Sequence, residues 1–331
     1  MPAAPSPPTL SSSAAHVLLP YASASAEACQ AALAGLTLPN LGRLLAHLRP
    51  QPPVLGDDYT LNPPHEQALA HTLGWHHPDG TPLPDGQLPW AAWQASVRDV
   101  PCAWFHPCHW QVGMEQVTLQ PADALQFSEA ESHTLFAALA PLCAEDGITL
   151  VFERPDRWRA EGEVLRDLAC ASLDRVAHRH LYGWLPQGPA APLLLRLQNE
   201  AQMLFYTHPV TDERTARGLL PINGIWISGS GSWHGGTPAQ PWPVTQPDTL
   251  RQPALHGDWV AWANAWLQLD RDTVPDWLAR IERKQTLHLT LCGERGYQSW
   301  HYDPSHRPGL LQRWRTRWGQ SANPVSILKA L

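Results

Sequence analysis

Apolar residues along this chain follow two rhythms, a three-to-four spacing and a short-run or alternating one, and the switches between them outline the elements. His16-Val17-Leu18-Leu19-Pro20 reads as a short buried strand. Residues 25–36 and 39–48 have helical spacing, with Leu41, Leu44, Leu45 and Leu48 on one face, and Pro50, Pro52 and Pro53 close that unit. A further helix is expected over 63–73, with proline in its first turn. Residues 76–89, rich in Pro, Gly and Asp, read as a linker. Residues 100–119 predict a β-hairpin turning near Val112-Gly113. Ser128 followed by Glu131 predicts a capping box on a helix running to about Cys143. Strands are expected at 148–153 and around Trp158, a strong helix at 192–207, and a strand at 222–228 leading into the glycine-rich loop GSGSWHGG. Helices at 258–269 and 275–283, a strand at 287–292 and an Arg/Trp-rich helix at 309–318 complete the pattern. Strand and helix alternate at both ends around an α+β middle, which suggests a three-layer α/β core interrupted by an inserted domain.

Composition narrows the class. Over 331 residues, 44% hydrophobic and 16% charged is a globular balance, and no apolar run reaches the roughly 20 residues of a membrane span. The first 13 residues lack a basic start and a continuous apolar stretch, so they read as a loose tail rather than a signal peptide, and a cytoplasmic protein is expected. A formal charge of -7 argues against nucleic acid and anionic membranes as partners. Six cysteines without CxxC pairs imply reduced thiols.

Several clusters carry chemistry by residue type. Cys102, His106, Cys108 and His109 are zinc-ligand types. On a strand, though, Cys102, Trp104, His106, Cys108 and Trp110 share one face with His109 opposite, and ligands in a line do not converge on a tetrahedral ion. Arg154, Arg157, Arg159, Arg214 and Arg217 offer guanidinium forks for phosphate or carboxylate, or else internal ion pairs. The loop beginning at Gly229 has amide-rich glycines but no GK[ST], so a chain crossover is the better reading. Asp57 and Asp58 are adjacent, which suits a turn rather than a catalytic dyad. Trp300, Trp314, Trp318 and the interleaved arginines near them suit helix packing or, less well, base stacking.

The segment from His208-Pro209-Val210 through Arg214, Gly218, Pro221, Asn223, Trp226, Gly229 and Gly231 resembles the archaeal-type, cofactor-independent phosphoglycerate mutases of the alkaline phosphatase superfamily. Thr211 and Ile222 stand where those enzymes have Asn and Ala. TLPNLGRLLAHL and HEQALAHTLGW resemble two further helices of that superfamily, the second being the one that carries the nucleophile. GDDYTLNPPHEQALAHTLGW, PCHWQVG and LQNEAQMLFYTHP resemble a bacterial group of RpfE-type regulatory proteins. The resemblance implies an alkaline-phosphatase-like α/β core over 14–88 and 222–331, and an inserted α+β domain over 89–221. It also implies an anion cleft built from Arg159, His208, Arg214 and Asn223.

Mutase chemistry needs two divalent metals such as manganese or zinc and a serine nucleophile. Where the resemblance calls for Asp-Gly after the first strand, this chain has Leu19-Pro20-Tyr21-Ala22. His65 stands at the serine, and Cys292-Gly293-Glu294-Arg295 replaces an Asp-His pair. No Asp-x-x-x-His segment lies between 232 and 286. The expectation is a pseudoenzyme without metal or cofactor, binding a small phosphorylated or carboxylated metabolite or acting through a protein partner. The competing expectation is an active mutase or phosphate-ester hydrolase with rearranged ligands: His65, Asp57, Asp58, Glu294 and His306, of which His65 and Glu294 are the catalytic candidates.

Overall fold

The computed structural model describes residues 14–77, 79–114, 116–181, 183–235, 243–305 and 323–331. The helix expected at 309–318 and the candidate His306 lie outside them. The architecture is mixed α/β, in two compact units: Met1–Gly56 with Gln240–Leu331, and Asp57–Ala239.

In the first unit, strand β1 (Ala14–Leu19) lies parallel to β10 (Thr286–Cys292) and to the short β9 (Val244–Thr245). β10 turns back antiparallel into β11 (Gly296–Tyr302), which also pairs β2 (Arg49–Pro50) and β3 (Val54–Leu55). The register sets Ala15, Val17 and Leu19 beside Leu287, Leu289 and Leu291 on one face. That face shares a core with α1 (Glu27–Ala34), α2 (Pro39–His47), α10 (Trp259–Gln268) and α11 (Val274–Glu282) through Leu33, Leu41, Leu44, Trp262, Trp266 and Ile281. The opposite face carries His16, whose Nε2 lies 2.9 Å from Thr290 Oγ1. Helix α2 has no side-chain cap of its own. Buried Asp270 instead accepts from the Leu41 amide at 2.7 Å, satisfying an N-terminal donor that would otherwise be orphaned.

In the second unit, the twelve-residue β4 (Pro101–Val112) organises the sheet. It pairs β5 (Val117–Pro121) through the predicted hairpin, β7 (Arg157–Glu161), and β8 (Gly224–Ser232); β7 in turn pairs β6 (Thr149–Arg154). Ala103, Phe105, Trp158, Ile225 and Ile227 meet α5 (Glu129–Glu145) and α7 (Ala191–Tyr206) in one core, with Leu135, Leu139, Leu194 and Leu197. The Ser128/Glu131 capping box forms as expected. Helix α3 (Pro64–Thr72) precedes a cluster of Trp75, Trp90, Trp93, Trp104 and Trp233.

Two expectations change. Residues 57–88 and 224–232, assigned to the core from the sequence, belong to the second unit, because β8 pairs with β4 along Pro101–Cys108. The glycine-rich run is also strand rather than loop as far as Ser232. A Cβ on Gly229 would lie 2.9 Å from the Trp104 ring, and one on Gly224 would lie 3.1 Å from the Trp110 indole nitrogen. These glycines are seats for tryptophans of the neighbouring strand, not a phosphate cradle.

Burial holds His16 and His106 neutral, each lowered to about 4, with His288 adding to the effect on His16. The unfolded chain therefore binds more protons between pH 6.5 and 4 than the folded one, and stability falls with pH across that window. The loss is on the order of 3 kcal/mol for His106, whose Nε2 also meets Ser228 Oγ at 2.8 Å. Urea midpoints taken from pH 7.5 to 4.5 should decline, and His106→Gln should flatten that slope.

Candidate functional site

The residues singled out by sequence motif are held inside the second unit. Arg214, on α8 (Pro209–Ala216), is fully buried. Its Nε donates to Leu220 O at 2.8 Å, Nη1 to Glu131 Oε2 at 2.9 Å and Nη2 to Leu125 O at 2.6 Å. Burial opposes ionisation of Glu131, yet the Ser128 amide and hydroxyl, Arg214 and Arg217 hold its carboxyl below the usual range. His208 caps α8, its Nδ1 accepting from the Val210 amide at 3.2 Å. Asn223 bridges to β4, accepting from Trp110 N at 2.7 Å and donating to Trp110 O at 3.1 Å. Arg159 Nε donates to Glu153 at 3.0 Å and its Nη1 pairs Glu161, while Arg157 stacks over Trp104 at 4.4 Å. All four anion-binding candidates thus make internal bonds that build the fold. The sequence signal was homology, which does not distinguish a ligand-binding side chain from a structural one.

His65, at the start of α3, sets its Nε2 3.5 Å from Asp174 Oδ2. Beside it, Glu66 accepts from Ser172 Oγ at 2.5 Å and from Asn62 Nδ2 at 2.9 Å; burial raises its carboxyl, against the pull of His65 and these two donors. Asp57 Oδ1 accepts from Tyr59 N at 2.8 Å and Thr60 Oγ1 at 3.0 Å, the turn expected for it.

Glu294 lies in the other unit, just past the end of β10. Its Oε2 accepts from the Ser25 amide at 2.8 Å and the Ser25 hydroxyl at 2.6 Å. Around it is a cavity of about 360 Å³ lined by Ser23, Ser25, Gln30, Gly56, Arg295 and Lys329, with Ala24, Leu55, Ala330 and Leu331. It opens where parallel β1 and β10 end, the edge at which open α/β sheets commonly bind ligands. Sequence reading named Glu294 but missed the rest, because Ser23, Lys329 and Arg295 are brought together only by the sheet and the last helix (Pro324–Lys329).

These strand ends do not fit a pair of divalent metals. Glu294 is tied to Ser25 beside Arg295, and Cys292 is fully buried at the end of β10. Among the described residues, no group of three or more His, Cys, Asp or Glu is placed to hold a metal ion. Nor is any described helix long and apolar enough to cross a membrane.

No protein-family model matches the chain. The 2,3-bisphosphoglycerate-independent phosphoglycerate mutase of Methanothrix thermoacetophila is 33% identical over 69 residues, a stretch that covers 21% of this chain and 18% of that protein. The chain is thus weakly related to the cofactor-independent phosphoglycerate mutases, and matches about a fifth of the length of this relative. Among solved structures, the cofactor-independent phosphoglycerate mutase of Thermoplasma acidophilum aligns at 14% identity and TM-score 0.35, covering 96% of this chain and 98% of that one. The PH0037 protein of Pyrococcus horikoshii aligns at 11% identity and TM-score 0.44, covering 91% and 92%.

Removing the Arg214 guanidinium strands the Leu125 and Leu220 carbonyls. Arg214→Ala should cost about 3–5 kcal/mol in urea unfolding. Arg217→Ala, which removes the exposed partner of the same carboxylate, should cost no more than about 1 kcal/mol.

Proposed function

We propose that this protein is a non-catalytic relative of the cofactor-independent phosphoglycerate mutases that binds a small phosphorylated or carboxylated metabolite in a regulatory role. The observation that carries the reading is the chemistry at the ends of β1 and β10. Ser23, Gln30, Arg295 and Lys329 bring donor groups suited to an anion, while Ser25 gives both its amide and its hydroxyl hydrogen to Glu294. The regulatory role follows the resemblance to the RpfE-type group, and an alkaline-phosphatase-like ancestry follows the resemblance to the mutases.

A second reading, residual acid–base chemistry, is favoured by one feature: the His65–Asp174 pair beside Glu66, whose carboxyl is raised by burial. It predicts turnover of a phosphate ester that is lost in His65→Ala.

Purified protein offered manganese and zinc, then desalted, should retain far less than one metal per chain by plasma mass spectrometry. Its phosphoglycerate mutase activity should not rise above that of a His65→Ala control. Two metals per chain with interconversion of phosphoglycerates would overturn the binding-protein reading.

A further inference from the structure

Three histidines stand side by side across the sheet of the first unit. His16 on β1 is in register with His288 on β10, and His288 with His301 on β11. By the alternation of strands, the row lies on the face opposite Ala15, Val17 and Leu19 and the helices packed on them. The His16 and His288 ring centroids are 5.8 Å apart, and the His288 and His301 rings stack at 6.0 Å with their planes 22° apart. His16 is 5% exposed. Its Nε2 meets Thr290 Oγ1, which lies 2.9 Å from Ser299 Oγ, while its Nδ1 is buried with no hydrogen-bond partner among the described residues. On its other side β9 sets Val244 beside His16. The charged groups next to the row, among the described residues, are Arg49 on β2, in register with His301, and Asp303 just past β11.

A protonated imidazole needs acceptors for both ring N–H groups and is disfavoured by a second cation beside it. His16 has one acceptor in reach, the Thr290 hydroxyl, and another imidazole on the next strand. Burial, reinforced by the adjacent ring, lowers His16 and His288 to about 4 each; Asp303 pulls His288 the other way. The strand least able to resist charging of the row is β11. β1 is buried along its whole length, whereas β11 is buried only at Gly296 and Trp300, and beyond β10 it pairs only the two-residue strands β2 and β3. We propose that this row is an acid-sensitive seam: when its histidines take up protons, β11 parts from β10 and the first unit opens in a step of its own, with the second unit still folded. Opening lets both lowered histidines bind protons that the closed sheet excludes. The closed form is therefore fully favoured above pH 6.5 and loses ground as pH falls from there towards 4.

The test is hydrogen–deuterium exchange of the full chain, read by mass spectrometry at pH 7, 6 and 5 and corrected for the intrinsic pH dependence of amide exchange. Opening of residues 286–302 should grow by on the order of tenfold per pH unit for each histidine that becomes charged, while peptides from β4 and α7 keep their protection. His288→Gln removes the middle of the row and should reduce that growth by about tenfold per pH unit. Asp303→Asn takes away the carboxylate that offsets charge on His288 and should move the opening to higher pH. His106→Gln, in the second unit, should leave the profile of 286–302 as it is. The slope with pH is compared rather than the protection itself, so a variant that is merely less stable does not reproduce the result. If His288→Gln does not fold, His301→Gln decides the matter: it should move the opening to lower pH.

Equal loss of protection in both units across the pH range would reveal a single acid transition and overturn the seam. An unchanged slope in the folded His288→Gln or His301→Gln variant would overturn it as well, by assigning the acid response to groups outside the row.

Discussion

The buried guanidinium of Arg214 is the constraint around which the second unit is arranged. It reaches three acceptors on separate segments, the Leu125 and Leu220 carbonyls and the Glu131 carboxylate, and Glu131 at the same time caps α5. A charge taken fully out of water is tolerable only when its donors are met, so these segments must all be in place together. The neighbouring motif residues work in the same sense: His208 starts α8 and Asn223 fastens the entry of β8 to Trp110 of β4. A motif that reads as a binding signature is, in this chain, a set of joints.

The same physics explains the glycines on either side of Trp226. Tryptophan rings on β4 need a flat neighbour, and only glycine leaves room at 224 and 229. At Gly229 the backbone also adopts φ +62°, a left-handed conformation that a side chain would strain. Dense aromatic packing thus accounts for glycines at 224 and 229.

In the first unit the arrangement is more open. Parallel β1 and β10 end side by side, and whatever follows them is presented at one edge of the sheet. In this chain those continuations bring serines, a glutamate and an arginine, and the last helix adds a lysine. Such a set gathers donors and positive charge around one engaged carboxylate. The chemistry of this edge, more than kinship with the mutases, carries the functional proposal.

Local sequence determined most of the elements: the capping box at Ser128, the hairpin at 101–121, the helix at 191–206 and the late strand at 286–292 all depend on neighbours within a few residues. It also determined that His106 and Cys108 share a strand face. It did not reveal β11, where Tyr297, Gln298 and Ser299 lie between Gly296 and Trp300 in a strand whose partners come from distant segments. Nor did it separate structural arginines from accessible ones, because that depends on Glu131 and Leu125, which lie 83 and 89 residues from Arg214 in sequence. The cavity, too, joins Ser23, Arg295 and Lys329, which no spacing rule connects. Propensity and capping act over a few residues, whereas burial and the meeting of charges are settled only when distant strands pair.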